Sequence, residues 1–360
     1  MVFNALLTAA RMPYYDPWLS PGLVNRFCER YGESLVRLAR WPNGLSALVI
    51  CFLFSVFPTQ AQGRTCLIIG AMTIKHFEYM TRSTDGNDNK PPASFYEVLR
   101  KALKKRKTRL ENICPPADSV ARRVLEDYGA MFLAAKKVMP PPVCVFINDE
   151  QVAEFQERAG YSTEMIGFDE IELQPEAMKQ LLKAREEAQK EALDITPRDG
   201  AEAARRSYED SLQLWDTRFR PALDYWLAQG RLTEADVARL KSLPLRSQIA
   251  EVLELEKNGI YFSKDLSKSI LYSIAAPGTS QHIAMLAFDI NEFDNPRVRE
   301  ILGKHGWFQT VLSDLPHFTF LGLKEKDLPK HGLKRTEVDG QTFWIPNVIP
   351  NDNPANGQPR

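Results

Sequence analysis

The chain has 360 residues, with 46 Lys and Arg against 46 Asp and Glu, so its formal net charge at pH 7 is zero. A chain with this balance has no global field that would draw it to nucleic acid, which excludes recognition based on overall charge. The length leaves room for one large domain or for a domain with an appendage.

An apolar run near the N-terminus predicts export. Leu45–Phe57 follow Arg37 and Arg40 and precede the small and polar residues PTQAQ. The run is too short for a membrane span, and its flanks are typical of a secretory signal peptide. We predict a leader over residues 1–62, with translation starting later than the first Met. The mature chain is then secreted or periplasmic, begins near Gly63 and keeps no stable membrane span.

Residues 63–142 are predicted to form a helical N-terminal region. Helical patterns cover 94–110 and 118–137, and three prolines at 140–142 end them. The basic cluster 101–109 (KALKKRKTR) is either a solvated helix face or a surface for anionic wall polymers.

Removal of the leader leaves three of the five cysteines, Cys66, Cys114 and Cys144. None has the spacing of a structural zinc site. In an oxidising compartment Cys114 and Cys144 can pair, since each lies beside prolines that fix a loop.

The rest of the chain alternates between helical and strand patterns. We predict a strand at 143–147, helices at 149–159, 175–193 and 201–227, a helix opened by a capping box at Thr233–Asp236, and mainly strands over 285–345. The tail 347–360, rich in Pro, Asn and Gly, is predicted to be disordered. This pattern indicates an α+β fold in which helices pack on one side of a small antiparallel sheet.

Three of the five histidines lie within residues 282–317, two of them near aspartates. A catalytic zinc site uses three protein ligands drawn from His and carboxylates and leaves a fourth position open. His282 and Asp289 are seven residues apart, so on one straight strand they would point to opposite faces. We therefore expect a bend between them, with 287–290 as the strand that presents Asp289. Asp314 is expected in the turn before a strand that begins at His317.

The spacing resembles a known family, the zinc D,D-carboxypeptidases and L-alanyl-D-glutamate endopeptidases of bacterial cell walls. The family patterns S-x-H-x-x-G-x-A-x-D, G-W and E/D-x-x-H are matched by Ser280, His282, Ala287, Asp289, Gly306, Trp307, Asp314 and His317. The resemblance covers roughly residues 243–322. It departs at Met285, where the family has glycine, a residue that adopts positive φ at little cost.

The resemblance implies a hedgehog-like or D-Ala-D-Ala-peptidase-like fold over 143–346, with a helical insertion. It also implies roles for single residues: His282, Asp289 and His317 as zinc ligands, Asp314 as the base, and Arg246 of an Arg-Ser segment as a carboxylate clamp.

Other residues of the match keep two interpretations. Ser280 either contacts substrate or is a turn serine, and Trp307 either lines the substrate cleft or lies in the core. His305 either orients the site or lies on the surface, and Arg246 is otherwise an exposed arginine on a helix.

The predicted function is an exported zinc metallopeptidase that hydrolyses peptidoglycan stem peptides or D-alanyl-D-alanine-type bonds. Zinc lowers the pKa of a water molecule that it binds, and Asp314 would accept the proton. The alternative is a non-catalytic, zinc-containing protein of the same fold that binds cell-wall peptide, which Met285 would permit. Both have peptidoglycan or its fragments as partner, and neither binds nucleic acid.

Overall fold

The computed structural model describes residues 91–115, 117–312 and 314–349. The predicted leader with its signal peptide, Cys66 and the end of the tail lie outside these residues. The described part combines α-helices with short antiparallel strands, which agrees with the α+β class. Among the described residues, no helix has both the length and the apolar character that crossing a membrane requires.

Helices dominate the first two thirds of the described chain. The α-helices are α1 (Phe95–Lys105), α2 (Leu110–Ile113), α3 (Ser119–Tyr128), α4 (Asp149–Ala159), α5 (Pro175–Lys190), α6 (Tyr208–Ala228), α7 (Glu234–Ser242), α8 (Leu245–Lys257) and α9 (Pro296–Lys304). Short 3₁₀ segments cover Gly129–Leu133, Gly200–Ala203, Ile270–Tyr272 and Glu325–His331.

Polar caps explain where several helices begin. The side chain of Asn148 accepts a hydrogen bond from the Gln151 amide at 3.0 Å, so α4 covers the predicted residues. At α7, Thr233 and Asp236 form both bonds of the predicted capping box. Both predictions are confirmed.

The described strands form three small antiparallel sheets. They are β1 (Ser162–Ile166), β2 (Asp169–Leu173), β3 (Ala287–Asp289), β4 (Trp307–Phe308), β5 (His317–Phe320), β6 (Leu333–Val338) and β7 (Gln341–Pro346). β1 pairs with β2, β6 pairs with β7, and the central sheet has the order β3-β5-β4. β3 and β5 confirm the strands predicted around Asp289 and after His317.

Two clusters of buried apolar residues hold these elements together. The first packs the central sheet against α1, α4, α5 and α9, and it includes residues from both sides of position 142. The second joins α3, α6, α7 and α8, with Trp215, Phe219 and Phe262 stacked at its centre. The central sheet therefore has helices against it, as the sequence indicates.

The strand predicted at 143–147 is not formed. The Cys144 amide donates to Ile113 O at 2.7 Å, whereas the Phe146 amide donates to Gly278 O at 2.9 Å. Because these two amides, which lie two residues apart, bond to different segments, no ladder to a single strand develops. Cys144 and Phe146 are buried, and the segment that carries them is irregular.

A disulfide fixes this irregular segment. Cys114 and Cys144 are joined, with their Cα atoms 5.3 Å apart, which confirms the predicted pairing. Two residues further on, Phe146 lies against Gly278, where a Cβ atom would come within 2.1 Å of Phe146 O. Only glycine fits this contact. The contact joins the segment that the disulfide fixes to the stretch of chain directly before the loop that carries His282.

Candidate metal centre

His282 lies in a tightly turned loop that ends at Met285. The amides of Ile283, Ala284 and Met285 donate to the carbonyls of Ser280, Gln281 and His282 at 3.2, 3.1 and 2.9 Å. Met285 then adopts a left-handed backbone, with φ of 53°. The bend that the spacing requires is therefore present, and the chain makes it with Met where the family has glycine.

The sheet register brings the other two residues together. Asp289 of β3 and His317 of β5 are directly paired across the antiparallel ladder. Side chains of such pairs point to the same face, with Cβ atoms about 4.5–5.5 Å apart. His282 reaches this face from the loop, so residues 35 positions apart along the chain share one site.

The three side chains converge closely and are almost fully buried. His317 Nδ1 is 3.0 Å from Asp289 Oδ1 and 3.1 Å from His282 Nε2. His282 Nε2 is 3.3 Å from Asp289 Oδ2. Each residue thus directs at least one potential ligand atom to a common point.

Each histidine ring has an inner nitrogen that faces the cluster and an outer nitrogen that faces away from it. The hydrogen bond of the outer nitrogen determines whether the inner nitrogen carries a proton. His282 Nδ1 is 2.9 Å from Ala204 O, and His317 Nε2 is 2.9 Å from Gln281 Oε1. Both partners are carbonyl oxygens, which only accept, so each neutral ring carries its proton on the outer nitrogen. The inner nitrogens then present lone pairs towards the oxygens of Asp289, with no proton between them.

The surroundings favour the deprotonated forms of His282 and Asp289. Burial lowers the pKa of His282 to about 4, and the charge of Arg206 adds to this effect. Burial alone would raise the pKa of Asp289, but the charges and hydrogen bonds of His282 and His317 in their protonated forms hold it well below its usual range. Deprotonated ligands are those that bind metal ions.

Residues upstream of the matched region help to orient all three ligands. Ala204 O accepts from His282, and Arg206 Nη2 donates to Asp289 Oδ2 at 2.9 Å. Tyr128 O accepts from Gln281 Nε2 at 2.8 Å, and Gln281 in turn contacts His317. Groups that orient the ligands of a metal typically affect affinity almost as strongly as the ligands do.

Arg206 is the residue that the sequence analysis missed. It is followed by Ser207, so the same Arg-Ser signal that marked Arg246 is also present here, at the start of α6. Arg206 lies 76 residues before His282, whereas Arg246 lies 36 residues before it.

Asp314 lies in the turn before β5, as expected. Its amide donates to Val311 O at 3.1 Å, and its carbonyl accepts from the His317 amide at 3.3 Å. The residue is exposed to solvent, yet protein atoms crowd around it. This crowding, together with the charge of Asp289, raises the pKa of its carboxyl. Asp314 is therefore close enough to the cluster for the charge of Asp289 to act on its carboxyl.

The remaining predicted residues have defined structural partners. Ser280 Oγ accepts from the His282 amide at 3.3 Å, and Trp307 has no exposed surface and packs on Phe288 and Phe320. Arg246 forms an ion pair with Asp118, and its role as a clamp stays a prediction.

His305 lies 3.0 Å from Glu187, in a charged group between α5 and α9. Gly306, before Trp307, is required for packing, since a Cβ atom there would come within 2.8 Å of Gly322. The turn and core interpretations therefore account for the contacts of Ser280 and Trp307, and a surface position accounts for those of His305.

The cluster fits a small divalent metal ion. Ligand atoms about 2.0–2.2 Å from a tetrahedral centre stand roughly 3.3–3.6 Å apart, close to the 3.0, 3.1 and 3.3 Å between the facing atoms of these residues. The three residues could therefore hold a metal ion. A scan of the chain against protein-family models finds no match, and neither does a search of curated proteins.

Proposed function

We propose that the chain is a zinc metallopeptidase, with His282 Nε2, Asp289 and His317 Nδ1 as the zinc ligands. The observation that carries the proposal is the convergence of two buried imidazole nitrogens and a buried carboxylate, with the other nitrogen of each ring held on a carbonyl oxygen. Two imidazole nitrogens and one carboxylate form the ligand set of several catalytic zinc sites. Such a set leaves room for a fourth ligand.

Asp314 is the proposed general base. Its side chain makes no hydrogen bond to any other described residue, and it is open to solvent at the edge of the cluster. When bound, zinc polarises a carbonyl group and activates water for attack. Asp314 would accept the proton of the attacking water and return it to the leaving amine as the C–N bond breaks.

Arg206 is better supported than Arg246 as the cationic group of the site. Its guanidinium bonds Asp289, and its charge acts on both His282 and Asp314. A guanidinium has five donors, so Arg206 can hold Asp289 and still stabilise negative charge that develops on a substrate carbonyl.

The proposed substrates are peptidoglycan stem peptides or D-alanyl-D-alanine-type bonds, and the proposed fold is hedgehog-like. The motif residues support this assignment, as does an antiparallel sheet that carries two of the three ligands. A disulfide supports an oxidising compartment, in keeping with export through a signal peptide.

Metal content and product release, measured together, test the proposal. Wild-type protein should hold one zinc per chain and release peptide or D-alanine from purified peptidoglycan. Asp314→Asn should keep the zinc and lose at least about a hundredfold in rate, whereas His317→Ala should lose both. Absence of zinc from the wild type would refute the metal site.

The same assay separates the peptidase from a non-catalytic binder. Bound zinc without any product, in wild type and Asp314→Asn alike, would favour the binder. Met285 would permit a binder, yet the bend at this position forms with Met in place.

A further inference from the structure

Gln281 stands directly behind one of the ligands. The residue is buried, with 3% of its surface exposed, and its side chain lies between α3 and the central sheet. Gln281 Oε1 is 2.9 Å from His317 Nε2, and Gln281 Nε2 donates to Tyr128 O at 2.8 Å. One amide therefore contacts both the ligand ring and the end of a helix.

The orientation of this amide is fixed. A flipped amide would place its oxygen against the Tyr128 carbonyl, and two acceptors would then face each other. Two threonines complete the arrangement: Thr319 Oγ1 donates to Gln281 Oε1, Thr310 Oγ1 lies 2.7 Å from Thr319 Oγ1, and Gln281 Nε2 reaches Thr310 Oγ1 at 3.4 Å. The hydrogen bonds of these three side chains form a closed cycle in which each side chain donates to the next, from Gln281 to Thr310 to Thr319 and back to Gln281. The cycle requires the amide oxygen to face His317.

This orientation matters because His317 has a competing acceptor on its other side. Asp289 Oδ1 lies 3.0 Å from Nδ1, and a carboxylate accepts more strongly than an amide. Without Gln281, the ring proton would move to Nδ1, donate to Asp289 and occupy the position of the metal. The hydrogen bond to Gln281, whose amide is oriented by Tyr128 O, opposes this tautomer.

We propose that Gln281 is a positioning residue that holds the His317 proton on Nε2, which leaves Nδ1 free to bind metal. This inference deepens the proposed metal site and rests on it. It also gives a function to the contact between α3 and the sheet.

The test compares Gln281→Met with Thr319→Val in full-length protein. The first variant removes the acceptor and keeps the volume of the side chain. The second is a matched control, because it disturbs the same buried network and leaves the bond between Gln281 and His317 intact. The readouts are ¹⁵N NMR of His317 in metal-free protein, which distinguishes the two tautomers, and Zn²⁺ affinity measured by competition with a chelator.

Wild type and Thr319→Val should carry the His317 proton on Nε2. Gln281→Met should shift the proton towards Nδ1 and bind Zn²⁺ about 10–100-fold more weakly than the control. A proton on Nδ1 in wild type, an unchanged tautomer in Gln281→Met, or equal affinities of the two variants would overturn the proposal.

The wild-type tautomer decides the matter even if Gln281→Met fails to fold. It also separates the two proposals: wild type that binds no zinc refutes the metal site, whereas the tautomer of the metal-free protein reports on Gln281 alone.

Discussion

The backbone at Met285 gives the sharpest test of how the ligand loop is built. Met285 is fully buried, its amide donates to His282 O, and its carbonyl accepts from the Gln174 amide at 3.1 Å. These bonds hold φ at 53°, in the left-handed region. A residue with a Cβ atom is strained by roughly 1–2 kcal/mol in this region, and glycine is not.

Replacement by alanine and by glycine separates backbone strain from packing. Both variants lose the buried thioether side chain, at about 2–5 kcal/mol. Relative to alanine, glycine avoids about 1–2 kcal/mol of backbone strain. It is destabilised by about 0.4–1 kcal/mol because its unfolded chain has greater conformational freedom. Met285→Gly should therefore be more stable than Met285→Ala by about 1 kcal/mol.

Urea unfolding of the metal-free variants measures this difference. The control is Ala284→Gly, one residue earlier, where φ is not positive and glycine should destabilise the protein as it does in ordinary backbone. If Met285→Ala is as stable as Met285→Gly or more stable, the strain is not what the backbone angle indicates and the reasoning fails.

Three further predictions concern the site and its surroundings. Arg206→Gln should weaken Zn²⁺ binding about 10–100-fold, because Asp289 loses its charged partner, while Arg246→Gln should leave affinity unchanged; a chelator competition that ranks them in reverse would contradict this. Reduction of the Cys114–Cys144 disulfide, which spans 30 residues, should lower the free energy of unfolding by about 3.6 kcal/mol from loop entropy, and a Cys114→Ser, Cys144→Ser variant should show no response to reductant. Burial lowers the pKa of His282 to about 4, against 6.5 for an unperturbed histidine. At pH values between these two, His282 is protonated in the unfolded chain and neutral in the native chain. The metal-free protein should therefore lose stability as the pH falls from about 6.5 to about 4. Urea unfolding at both pH values should show a smaller loss of stability for His282→Gln than for wild type.

Much of the candidate site could be predicted because its spacing carries geometric information. Seven residues between His282 and Asp289 require a bend, and the bend is present. The proline at 316 predicts a turn before β5, which places Asp314 and His317 as expected. The pairing of Asp289 with His317 was not predictable, because strand register depends on how two distant segments pack.

The groups that orient the ligands could not be read from the sequence. Ala204 and Tyr128 act through backbone carbonyls, which any residue supplies, so side-chain identity carries no signal for them. Gln281 was passed over as an unspecified position of the family pattern. The hairpin β1–β2 escaped prediction because its strands are polar and largely exposed at β1, without a strong alternation of apolar residues.

The parts of the site are far apart in the sequence, and this separation determines at which stage of folding the protein can bind a metal. The cluster and its supports extend from Tyr128 to Thr319. During synthesis, the chain cannot offer the full ligand set until almost all of the described residues have emerged and β5 has paired with β3. Metal loading is therefore expected to be one of the last steps of maturation, after the helical region has folded around the empty position.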